Sequence, residues 1–138
     1  MKEPMTSTPI LDLDTLKAID VYLEDFYPQS KNAGERMADA GLGTSQIRGL
    51  ETIITSTTRF SEIINHIKNQ AGKDKKKKWS GVASLLLKQL ETLEAEAHRI
   101  GKDFPARILD IKLRLARGWA KQVVTHYLYV KSLEETGR

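Results

Sequence analysis

The chain has 138 residues, of which 22 are Lys or Arg, 18 are Asp or Glu, three are His and none is Cys. That length suits one domain with a modest core, and the lack of Cys excludes a disulfide framework, a thiolate zinc site and a cysteine nucleophile. With 40% hydrophobic and 29% charged residues the composition is that of a soluble globular chain, and no apolar run approaches the roughly 20 residues of a membrane helix.

Residues 1–10 hold two Pro and three Ser or Thr and read as a loose arm. The opening stretch has no basic flank ahead of an apolar run, so no secretory signal is expected, and the chain is expected in the cytoplasm. Leu16, Ile19, Leu23, Phe26 and Tyr27 keep the spacing of a helix face. Asp12 or Asp14 can cap that helix, and Pro28 is expected to end it. A short helix is predicted from about Lys31 to Ala40, with Gly41 in the left-handed position that closes it.

Thr44 or Ser45 can cap a long helix running to about Gln70, with Ile47, Leu50, Ile54 and Ile64 on one stripe and Ile53, Phe60, Ile63 and Ile67 widening it. Five Lys and one Asp crowd residues 72–78, which reads as a solvated, mobile loop. From Trp79, residues Val82, Leu86, Leu90, Leu93, Ala97 and Ile100 recur every third or fourth position and predict a helix stopped by Gly101. Asp103 and Pro105 suit the start of a last helix carrying Ile108, Ile111, Leu115, Trp119, Val123, Tyr127 and Val130, with Gly137 at its end. The expected architecture is all-α, a single-domain bundle over residues 11–138 of about five helices, two short and three long.

Charge is unevenly placed. Residues 1–43 carry 4 basic and 8 acidic side chains, whereas 102–138 carry 8 basic and 4 acidic. An acidic head and basic segments suit a polyanion on one side and a basic neighbour, or another copy of the chain, on the other. Enzyme chemistry is not indicated. His66, His98 and His126 fall on three helices, and none has a second His or a carboxylate three or four residues on, so neither a metal nor any other cofactor is expected. No phosphate-cradling Gly loop with its Lys and no nucleophile elbow is present.

Two sets of cations stand out. Arg107, Arg114, Arg117 and Lys121 step by 7, 3 and 4 along the last helix, opposite its apolar stripe, with Lys112 read as lying near them. A helix that packs one side and aligns cations on the other suits phosphates, which Arg grips in bidentate fashion. Arg48 and Arg59, 11 residues apart, fall on one side of the predicted long helix, with Thr52, Thr55 and Ser56 between them. Small hydroxyls flanked by Arg could follow a sugar–phosphate backbone without reading bases, and equally could form a plain polar face.

Thr44-Ser45-Gln46-Ile47-Arg48, after a Gly/Leu turn and ahead of an apolar-periodic helix, resembles the signature of the small helical subunit of type III-A CRISPR effector complexes. Lys112-Leu113-Arg114-Leu115-Ala116 and the stretch to Lys121 are similar to that family's later basic motif, and the YLYVKSLEE tail is faintly similar to its closing helix. The similarity covers about half the chain, and the departures lie in the long lysine-bearing gap between the motifs and in Arg117-Gly118, where an aromatic residue is expected. The resemblance implies a non-catalytic antiviral subunit. Copies of it would stack head to tail beside the backbone subunits that hold the guide RNA. They would contact the guide–target RNA duplex and reach the large signature subunit. It assigns RNA contact to Arg48, Lys112, Arg114 and Lys121; helix geometry adds Arg59 and Arg117. Base pairing would supply specificity, leaving the protein to grip the backbone. Two other readings compete. ERMADAGLGTSQIRGLE could be a helix-turn-helix that enters a DNA major groove, or the bundle could be a purely structural interaction module.

Overall fold

The computed structural model describes residues 10–75 and 77–136, so the expected arm at 1–9, Lys76 and the helix end at Gly137 lie outside the described residues. Six helices account for the regular structure among the described residues, together with two single 3-10 turns: α1 (Leu13–Asp25), α2 (Tyr27–Asp39), α3 (Thr44–Ser56), α4 (Phe60–Gly72), α5 (Ala83–Ile100) and α6 (Ile108–Thr136). The all-α single bundle agrees with the sequence reading; the number of helices does not, six replacing five.

Local chemistry explains where the elements begin and end. Asp12, not Asp14, caps α1 by accepting the Thr15 N–H at 2.8 Å. Pro28 does not end a helix. It sits in the first turn of α2, where its missing N–H is an orphan in any case, and the break falls two residues earlier at Phe26. Gly41, with φ +83°, closes the corner after α2 as expected. Gly43 holds the cap position of α3, and the Gln46 carboxamide accepts its N–H at 2.8 Å, so neither Thr44 nor Ser45 is the cap.

The long helix expected over 44–70 is two helices. Thr57 is extended at φ −76°, ψ 151° and Arg59 at φ −130°, ψ 118°. Thr57 Oγ1 accepts the Arg59 N–H at 3.0 Å and bonds the Glu62 carboxylate, fastening the corner. The helix expected from Trp79 begins at Ala83 after a 3-10 turn at Trp79–Gly81, and a second 3-10 turn, Pro105–Arg107, leads into α6 without a cap from Asp103.

The 29-residue α6 is the axis of the bundle, and every other helix packs on it. Its Ile111, Leu115, Ala116, Trp119, Val123 and Tyr127 are buried, and face Ile19, Ala33, Met37, Ile47, Leu86, Leu90 and Leu93 in a single core. α2 comes closest. A Cβ added at Gly34 would stand 2.4 Å from the Val123 carbonyl oxygen and 2.9 Å from the Tyr127 nitrogen, so only glycine permits this crossing. No helix among the described residues is long and apolar enough to cross a membrane.

Candidate nucleic-acid interface

Packing on α6 leaves one flank open, between α1 and the α3–α4 corner. Arg114, Arg117 and Lys121 occupy it, each one turn from the next. Arg114 keeps 49% of its side chain exposed, with Nε 3.8 Å from the Asp110 carboxylate one turn back. Such a surface pair contributes little and yields readily to a better anion. Lys121 is exposed and has no ion-pair partner among the described residues. About 10 Å of helix separates the two.

Arg117 is different. Its side chain turns inward and Nη2 donates to the Thr57 carbonyl at 3.3 Å, at the C-terminal end of α3, where a cation also meets the negative end of the helix dipole. Its Nε is buried without a hydrogen-bond partner. Arg114 and Arg117 share the wall of a crevice of about 500 Å³ whose floor is Leu16, Ile19 and Leu23 of α1, with Asp20 also lining it. Gly118 keeps that crevice tight, because a Cβ there would meet the Leu23 side chain.

The remaining cations lie elsewhere. Lys112 is two residues from Arg114, a rotation of about 200°, so it projects from the far side of α6 and not near the basic flank. There Nζ bonds the Glu94 carboxylate at 2.8 Å and lies 5.7 Å from the centre of the Phe60 ring, with only 17% of the side chain exposed. It fastens α6 to α5. Arg107 precedes α6 and is held by Asp12 at 3.2 Å with its guanidinium over Phe104. Arg48 is exposed on α3, paired to Glu51 at 2.8 Å.

Arg59 does not share a face with Arg48, because the helix that would have joined them is broken; it precedes α4 and pairs with Glu62. The Thr57 hydroxyl first, and Arg59 second, hold the Glu62 carboxyl below its ordinary value. Arg59 and Lys112 line one shallow groove of about 380 Å³ with Phe60, Ile64 and Leu109. The hydroxyls between Arg48 and Arg59 turn inward: Thr55 donates to Glu51 O at 3.0 Å and Ser56 to Thr52 O at 2.7 Å, which leaves those two protons unavailable to a phosphate.

The six candidate cations therefore separate into Arg114, Arg117 and Lys121 on the α6 flank, Arg59 and Lys112 around the α4–α5 groove, and Arg48 alone. Sequence reasoning missed that Lys73 and Lys75 fold toward Gln46 at the start of α3, a placement that no periodicity signals. Among the described residues, no group of three or more His, Asp or Glu side chains is arranged to hold a metal ion. Comparison with protein-family models, with curated proteins and with solved structures finds no match to this chain.

Proposed function

We propose that the chain is a non-catalytic small subunit of a type III-A CRISPR RNA-guided effector complex. In this role it grips the guide–target RNA backbone without reading sequence, stacks with copies of itself, and touches the backbone and large signature subunits in the cytoplasm. The observation that carries this reading is the open α6 flank, where Arg114 and Lys121 stand exposed two turns apart beside the anchored Arg117. The resemblance at Thr44–Arg48 supports it from the sequence side. Arg114 and Lys121 are assigned direct phosphate contact, Arg48 and Arg59 contact after release from their surface carboxylates, and Lys112 the holding of α6 in place.

The test is co-expression with guide RNA and backbone subunits, followed by binding across a salt series. Each phosphate neutralised releases counterions, so Arg114→Ala with Lys121→Ala should lower the salt slope by about two phosphates' worth while leaving helical content intact. A double variant that retains RNA as the parent does would overturn the assignment. Tight binding to one duplex DNA site would replace the reading with a helix-turn-helix regulator, and failure to co-purify with RNA would leave a structural module.

A further inference from the structure

The lysine-rich turn after α4 packs against the start of α3. Lys73, Asp74, Lys75 and Trp79 line a depression of about 340 Å³ with Gln46 of α3 and Gln70 of α4. Beside it, the Lys78 side chain lies over Gly41, its Nζ 3.9 Å from where a Cβ would stand. No side chain caps the first-turn amides of α3, so the positive end of its dipole also faces this corner.

Trp79 supplies an independent sign. The residue is 1% exposed, and its backbone N–H is taken by the Asp74 carboxylate, which turns that acid toward the loop's own main chain. Its indole N–H is buried with no hydrogen-bond partner. The other indole in the chain, that of Trp119, is bonded at 2.8 Å. A buried donor left alone is costly and asks for an acceptor. The depression is lined by the Lys73 and Lys75 ammonium groups, the Gln46 and Gln70 carboxamides and the Asp74 carboxylate, which is bonded to the Trp79 backbone N–H. The ammonium groups and carboxamides are the donors that suit a tetrahedral oxyanion.

We propose that this corner binds a phosphate group from the backbone of an RNA strand. Trp79 Nε1 is the fixed donor, Lys73 and Lys75 supply the charge, and Gln46 and Gln70 complete the walls. The site rests on the RNA-binding reading above but uses none of the residues of the α6 flank. It gives the lysine run a task beyond solvation and couples it to the Thr44–Arg48 segment.

The chain has two Trp, so a proton–nitrogen correlation spectrum of the full chain carries two indole signals, which Trp79→Phe assigns. Inorganic phosphate and then a short single RNA strand are titrated at ionic strength held constant with chloride. The Trp79 signal should move saturably with both while the Trp119 signal stays. Lys73→Gln with Lys75→Gln, checked for unchanged helicity by circular dichroism, should weaken both responses about tenfold. A stationary Trp79 signal, a double lysine variant that binds like the parent, or a response to phosphate but not to RNA, meaning an adventitious ion only, overturns the proposal. Arg114→Ala with Lys121→Ala run in parallel separates the two readings. If the flank is wrong, that variant keeps its RNA and the Trp79 signal still moves. If this corner is wrong, the flank variant loses RNA and the Trp79 signal never moves.

Discussion

The indole Nε1 of Trp119 donates to the Gln89 carboxamide oxygen at 2.8 Å inside the bundle, and Gln89 Nε2 donates to the Gln29 carbonyl at 2.9 Å. One buried amide thus ties α6, α5 and α2 together. With Gln89 only 5% exposed, water does not replace either bond when the amide is removed. Gln89→Ala leaves a buried donor and a buried acceptor unpaired beside a small cavity, and should lower stability by about 2–3 kcal/mol in urea denaturation. A loss well under 1 kcal/mol would mean that the amide is not the tie described here.

Gly34 and Gly118 should respond unequally to alanine. At Gly34 the new methyl would meet the backbone of α6, which has nowhere to go, so α2 must withdraw at a cost of about 3 kcal/mol or more. At Gly118 the methyl meets only the end of the Leu23 side chain, which can change rotamer, and the gain in helix propensity of up to about 1 kcal/mol offsets the contact. Thermal denaturation of the two variants side by side checks the contrast; equal losses would contradict it.

Arg117 and Lys121 are both cations on one flank, but only the first holds the fold. Arg117→Ala frees the Thr57 carbonyl at the end of α3 and should cost about 1–2 kcal/mol, whereas Lys121→Ala should stay within about 0.5 kcal/mol of the parent. Chemical denaturation of each single variant measures this. An Arg117→Ala protein as stable as the parent would remove the guanidinium from the α3–α4 corner.

Acid should unfold the protein in two stages. Burial, and secondarily Lys73, pushes the half-buried His66 below its ordinary value. The unfolded chain then binds the extra proton first, so stability begins to fall below about pH 6.5 and stops falling once the lower folded-state value is passed. The Asp12 carboxyl is held down by Thr15 and then by Arg107, and that of Glu62 by Thr57 and then by Arg59. Their contributions are complete above the ordinary carboxylate range and are lost as pH falls through the lowered values, which makes the second stage, below about pH 4. Urea midpoints across this range should show both, and His66→Gln should erase only the first.

The helical class and the strongest elements, α5 and α6, are legible because their apolar spacing is regular and uninterrupted. The break at Thr57 is masked in the sequence because Phe60, Ile63 and Ile67 look like a widening of the same apolar stripe. From Ile54 to Phe60 is a step of six residues, which a continuous helix cannot keep on one face, and Thr55-Ser56-Thr57-Thr58 is a run of hydroxyl residues, of which Thr55, Ser56 and Thr57 bond nearby backbone carbonyls. Both signals were present. Pro28 misled because proline forbids a helix interior but favours a helix start, and only the turn before it tells the two apart. Of the candidate site, the grouping of Arg114, Arg117 and Lys121 follows from spacing alone. That Arg117 points inward while Lys112 reaches Glu94 depends on which neighbours flank α6, which one-dimensional spacing does not contain.

Because α6 is the helix on which the other five described helices all pack, and it follows them in the chain, the core around Trp119 and Tyr127 cannot close until those residues have left the ribosome. A nascent chain stalled before Ile108 should remain sensitive to protease along its whole length.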